Sequence, residues 1–130
     1  MAGHEAPFHA HIYYGPEQRA AAQALRERFV QASTGDAPSI LFVGRMMDRG
    51  VGPHPIAQYE VHFLEASLAG VVSEIRASGL RALVHPLTDD DLADHVTSGQ
   101  WIGKRLDLDL TVLDPPGRNQ GVARFGKSDF

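Results

Sequence analysis

The stretch that most constrains this chain is Phe8-His9-Ala10-His11-Ile12-Tyr13-Tyr14. Side chains along a strand point alternately to opposite faces, so Phe8, Ala10 and Ile12 share one side while His9 and His11 share the other. Such a strand suits a sheet with its apolar face against a core. At a rise of about 3.3 Å per residue the two histidine Cα atoms stand about 6.6 Å apart, close enough for both imidazoles to reach one metal ion. Taken alone, a His-x-His pair reads as two exposed strand histidines, so the rest of the chain must supply the reason to read more.

The elements that follow alternate in character. Pro16 suits the first turn of a helix running from Glu17 to about Ala32, with Ala21, Leu25, Phe29 and Ala32 at helical spacing. Ser39 to Met46 reads as a strand, and the glycines and prolines of Asp48 to Pro55 read as a fixed loop. A third strand covers Ile56 to Phe63, with Tyr59, Val61 and Phe63 on one face and Glu60 and His62 on the other. Leu68, Val71, Val72 and Ile75 mark a second helix to Ser78, which Gly79 stops, and Arg81 to Pro86 is a fourth strand. Strand, helix, strand, strand, helix, strand is the order of the ferredoxin-like, split βαβ unit. That is an α+β fold, an antiparallel sheet with both helices on one face. In it the first strand is central, flanked by the third and fourth, so the open face gathers His9, His11, His85 and the Glu60 and His62 pair.

Beyond the unit, Thr88 is expected to cap a short helix that turns His95 inward beside Leu92 and Val96. The alternation of Leu106, Leu108, Leu110 and Val112 with Asp107, Asp109 and Thr111 predicts a C-terminal strand over 105–113. At 130 residues the chain is expected to be one domain, with a folded core over about 7–114 and 115–130 as a tail or an arm on a partner subunit.

Composition narrows the chemistry. A net charge of −4 without a basic stripe argues against nucleic acid as a partner. Cysteine is absent, which excludes thiolate nucleophiles and zinc-thiolate sites and leaves nitrogen and oxygen to hold any metal. There is neither a signal-peptide pattern nor an apolar run of membrane length, so the expected address is the cytoplasm, away from membranes. No nucleophile-elbow sequence points to Ser-His-Asp catalysis.

Four segments set histidine beside rigid flanks: His9-Ala10-His11, Gly52-Pro53-His54-Pro55, Val84-His85-Pro86-Leu87-Thr88, and Asp94-His95 followed by Trp101-Ile102-Gly103. In this order they resemble the DOPA 4,5-dioxygenase family of small ring-opening dioxygenases. That resemblance implies a ferredoxin-like fold that dimerises, a non-haem iron(II) cofactor and extradiol cleavage of a DOPA-like catechol by O2. Iron(II) held by three protein ligands keeps positions open for both catechol oxygens and for dioxygen. With the resemblance as guide, His9, His11 and His85 are the expected metal ligands, and His54 and His95 the expected acid/base or substrate-orienting groups. Two of these histidines with Glu60 form an alternative ligand set, and zinc or another divalent ion could replace iron. His4 and His62 lie outside the matching motifs. Arg45, Arg49 or Arg81 could meet a substrate carboxylate. Trp101, Tyr13, Tyr14 and the Met46-Met47 pair are expected mainly to pack. Another metal-dependent enzyme of this fold, or a non-catalytic protein that captures a metal or small ligand, is the competing reading.

Overall fold

A computed structural model describes residues 5–127. Its sheet is built from β1 (Pro7–Tyr13), β2 (Phe42–Val43), β3 (Gln58–Leu64), β4 (Arg81–Pro86) and β5 (Gln100–Ile102) in the order β2-β3-β1-β4-β5, every pairing antiparallel. The split βαβ order is present with β1 at its centre, as the sequence leads one to expect. Two helices, α1 (Arg19–Ala32) and α2 (Leu68–Ser78), cover one face. α1 buries Ala22, Leu25 and Phe29 rather than a stripe beginning at Ala21, and α2 buries Val71 and Ile75. They pack on Ala10, Ile12, Tyr59, Val61, Phe63, Ala82 and Val84 from the sheet. Full burial of an aliphatic or aromatic side chain contributes about 1.5–3 kcal/mol, so this one layer supplies the hydrophobic drive of the fold. Gly79, at φ 76°, ends α2 in the left-handed conformation that glycine adopts without strain.

Three expectations are corrected. The strand expected over 39–46 keeps a ladder only at Phe42–Val43, flanked by single bonds from Leu41 and Gly44 to β3. A Cβ at Gly44 would stand 2.9 Å from Glu60 Cγ, so the edge strand passes too close to β3 for a regular run of side chains. No strand forms over 105–113. The place beside β4 is taken by β5, and Gly103 at φ 79° turns the chain off the sheet. Leu106 and Leu108 remain half-buried while the aspartates face water, so the alternation is real but has no pairing partner. The run ends in a 3-10 turn at Leu110–Val112, and Asp109 N–H donates to Pro53 O at 2.9 Å, tying it to the histidine loop.

The third correction concerns α3 (Asp91–His95). Its cap is Asp90, which accepts from Ala93 N–H, while Thr88 donates to Asp94 through both its N–H and its hydroxyl. His95 faces inward, but with Asp91 and Asp94; Leu92 and Val96 are exposed. Those two carboxylates tolerate burial because they are hydrogen-bonded, Asp91 by Asp114 N–H and Asp94 by Thr88 and Asn119.

Beyond Gly117 the chain returns to the sheet's open face at Phe125 and Gly126. Asn119 caps α4 (Gln120–Ala123), the Phe125 ring stacks 5.6 Å from that of His62 and 6.2 Å from that of His9, and Gly126 N–H donates to His62 Nδ1.

Candidate metal centre

Strand register does most of the assembly. His9 stands opposite His62 of β3 and His85 of β4, so three imidazoles form a row across three strands. His11, one step along β1, faces Glu60 and Leu83. α3 adds His95 from β4's side, and the loop before β3 adds His54. All five expected site histidines converge, each no more than 7% exposed. A cavity of about 220 Å³ opens onto His9, His11, His54, His85 and His95, and is also walled by Asp91, Asp114 and Arg124. Glu60 and His62 do not line it. Arg45, Arg49 and Arg81 do not line the cavity, whereas Arg124 does.

The hydrogen bonds behind each ring determine which nitrogen carries the proton. His11 Nδ1–H donates to Gln58 Oε1 at 3.1 Å and His85 Nδ1–H to Pro86 O at 2.8 Å. His95 Nδ1–H donates to Asp91 O at 2.8 Å, with Asp91 Oδ1 3.3 Å away. An oxygen acceptor on Nδ1 leaves Nε2 bare, which is how metal-binding imidazoles are usually oriented. The Nε2 atoms of His11 and His85 then face each other at 3.0 Å. Two bare lone pairs at that distance repel unless a cation lies beside them. Nitrogens adjacent on one metal, each bonded at about 2.1 Å, stand about 3 Å apart, so the pair fits a divalent ion. His9 Nε2 is buried without a hydrogen-bond partner among the described residues. One ring nitrogen of His9 lies within 4.8 Å of ring nitrogens of His11 and His85, completing a group of three.

Two other groups have the proximity to bind. His11, His54 and His95 are also mutually within 4.8 Å, as are His9, Glu60 and His62. The last group is poorly disposed toward a metal. The His9 and His62 rings lie parallel, 3.7 Å apart with 10° between planes, so their in-plane lone pairs do not converge. His62 Nδ1 already accepts from Gly126, which leaves Nε2–H facing Glu60 Oε2 at 3.5 Å.

Electrostatics favours neutral rings. Burial, and after it the neighbouring imidazoles, holds His9, His11 and His85 well below the ordinary histidine value. Burial and His95 bring His54 down to about 3. Neutral imidazole is the form that binds metal. Gln58, His62 and Tyr13 complete the surroundings of the site and are not among its expected members. Period-two counting from Glu60 places Gln58 and His62 on the same face, and the same counting from His11 places Tyr13 there.

Residues 8–112 match the Dopa 4,5-dioxygenase family. A protein of Amanita muscaria named DOPA 4,5-dioxygenase is 32% identical over 111 residues, covering 82% of this chain and 49% of that protein. An uncharacterised 21.2 kDa protein of Botryotinia fuckeliana is 30% identical over 116 residues, covering 82% of this chain and 62% of its own length. The chain therefore spans about half to three-fifths of the curated relatives it matches. A crystal structure of a "putative dioxygenase" from Nostoc punctiforme superposes with a TM-score of 0.73 at 33% identity, covering 84% of this chain and 91% of that one.

Proposed function

The chain belongs to the Dopa 4,5-dioxygenase family, and from that premise we propose that it is a non-haem iron(II) extradiol dioxygenase opening the ring of a DOPA-like catechol with O2. The observation that carries the reading is the His11–His85 pair, two bare Nε2 atoms 3.0 Å apart on the wall of a cavity. In this reading His9, His11 and His85 hold the metal. When bound, iron(II) supplies Lewis acidity toward the catechol oxygens and a redox path to dioxygen.

The chain's own residues do the rest. His95, its Nδ1–H anchored on Asp91 O, presents a bare Nε2 that takes the proton of a catechol hydroxyl. His54, on a loop fixed by paired backbone bonds between Val51 and His54, is the opposite proton-handling group. Arg124, which donates to Gln120 Oε1, lines the cavity where a carboxylate on the substrate would sit.

One observation favours a second ligand set. His95 has the same oxygen-anchored Nδ1–H as His11 and His85, so His11, His85 and His95 would serve as ligands if His9 only packs. A homodimer and a cytoplasmic address belong to the same proposal. The exposed Leu92, Val96, Leu110, Val112 and Val122 offer apolar surface to a second copy, which sedimentation velocity would detect.

The test is anaerobic loading with iron(II), addition of catechols including L-DOPA, and a record of oxygen uptake alongside the rise of a yellow ring-opened product. Uptake equal to substrate consumed, lost in His11→Ala and His85→Ala, supports the reading. Tight metal binding with no uptake from any catechol overturns it in favour of a non-oxidative enzyme or a binding protein.

A further inference from the structure

We infer that Tyr13 is a positioning residue that fixes His54 as an Nε2–H donor to a substrate oxygen and keeps it out of the metal's ligand set, an assignment whose catalytic half rests on the dioxygenase reading. Tyr13 is fully buried on the open face of β1, two residues beyond His11, and its ring stacks on Trp101 with centroids 5.9 Å apart. Its hydroxyl meets His54 Nδ1 at 2.6 Å, and among the described residues this is the hydroxyl's one hydrogen-bond partner. The direction of that bond follows. Were Nδ1–H to donate to the hydroxyl oxygen, the buried O–H would be left with no acceptor. The hydroxyl therefore donates, Nδ1 accepts, and the proton of the neutral ring resides on Nε2.

This is the reverse of the arrangement at His11, His85 and His95, where an oxygen acceptor occupies Nδ1. Three rings thus present lone pairs and His54 presents a donor, although all four line one cavity. The backbone supports the same end. Val51 N–H bonds His54 O and His54 N–H bonds Val51 O, Gly52 takes φ 56° in the turn between them, and a Cβ at Gly50 would come within 2.9 Å of His54 O. Ring and main chain are both held, so His54 cannot swing to offer its other edge. A fixed N–H beside lone-pair-bearing histidines suits the stabilisation of an oxygen that becomes more negative as a catechol binds and reacts.

The proton's location can be read directly. Long-range proton–nitrogen NMR on the metal-free full chain, with 15N-labelled histidine and the His54 signals assigned by their loss in His54→Gln, should show protonated Nε2 and bare Nδ1. Tyr13→Phe should convert that single form into a mixture or into Nδ1–H. A wild-type ring protonated at Nδ1, or a spectrum unchanged in Tyr13→Phe, overturns the inference; the wild-type spectrum decides even if the variant folds poorly. As a second readout, His54→Gln should bind zinc(II) within about threefold of wild type, because a donor contributes no metal bond, and a loss of about 100-fold would make His54 a ligand instead. If turnover occurs, Tyr13→Phe should raise KM for catechol about fivefold. Absence of oxygen uptake in wild type would count against the dioxygenase reading alone, since the ring spectrum and zinc affinity judge Tyr13 without it.

Discussion

His11 and His85 meet Nε2 to Nε2 at 3.0 Å, each with its Nδ1–H committed to an oxygen behind it. Weakening either anchor should weaken the metal site without touching a ligand. Gln58→Leu removes the acceptor for His11 and is expected to lower iron(II) or zinc(II) affinity about 10–100-fold, measured by competition with a chelator of known strength. An unchanged affinity would mean that His11 does not bind through Nε2.

His9→Ala and His95→Ala separate the two ligand sets. If His9 is the third ligand, its removal should cost at least about 100-fold in metal affinity while His95→Ala keeps near-normal affinity and loses turnover. The reverse pattern would transfer the third bond to His95.

Acid should destabilise the metal-free protein. His9, His11 and His85 are held well below the ordinary histidine value, and His54 at about 3, by burial and adjoining imidazoles. In the unfolded chain each titrates near 6.5, so from there down toward the folded values the unfolded state binds more protons. Stability is thus fully present above about pH 6.5 and falls as pH drops, each group contributing up to about 1.4 kcal/mol per pH unit. Thermal unfolding of chelator-treated protein at pH 7.5, 6 and 5 should show a descending Tm. A flat Tm over that range would contradict the neutral buried cluster.

Arg124 should govern substrate choice rather than chemistry. Arg124→Gln is expected to raise KM about tenfold for a catechol bearing a carboxylate and to leave 4-methylcatechol nearly unaffected. Equal effects on both substrates would assign Arg124 a structural role.

Asp94 anchors the last segment. It accepts from Thr88 N–H, the Thr88 hydroxyl and Asn119 Nδ2, at 2.8, 2.6 and 2.8 Å. Asp94→Ala leaves those donors unsatisfied and should cost about 2–3 kcal/mol, read from the urea midpoint, with faster proteolysis after Gly117. Wild-type stability would show that these bonds are replaced by water.

The faces of β1, β3 and β4 are legible in the sequence because a strand's period of two leaves little freedom. Once β1 is central, His9, His11 and His85 must share the open side. The helix stripe of α2 is legible for the same kind of reason. What sequence could not yield was which ring nitrogen is occupied, since that is decided by Gln58, the Pro86 carbonyl and the Tyr13 hydroxyl, partners supplied by other strands or by local carbonyl direction. The 105–113 stretch shows the converse. Its alternation reports an extended chain with one half-buried side, and no local pattern reveals that the sheet edge is already taken by Gln100–Ile102. Asp91 and Asp94 are buried by partners that no local pattern announces: Asp91 takes Asp114 N–H and meets the His95 ring, while Asp94 takes Thr88 and Asn119.

The family match ends at residue 112, while Asn119, Arg124 and Phe125 reach the histidine cluster or its cavity from beyond that point. The strand-borne histidines and one part of the wall around their cavity are therefore written in separable stretches of chain. A lineage, or an engineer exchanging about ten residues after Gly117, could reshape that part of the cavity while leaving the strands and their histidines untouched.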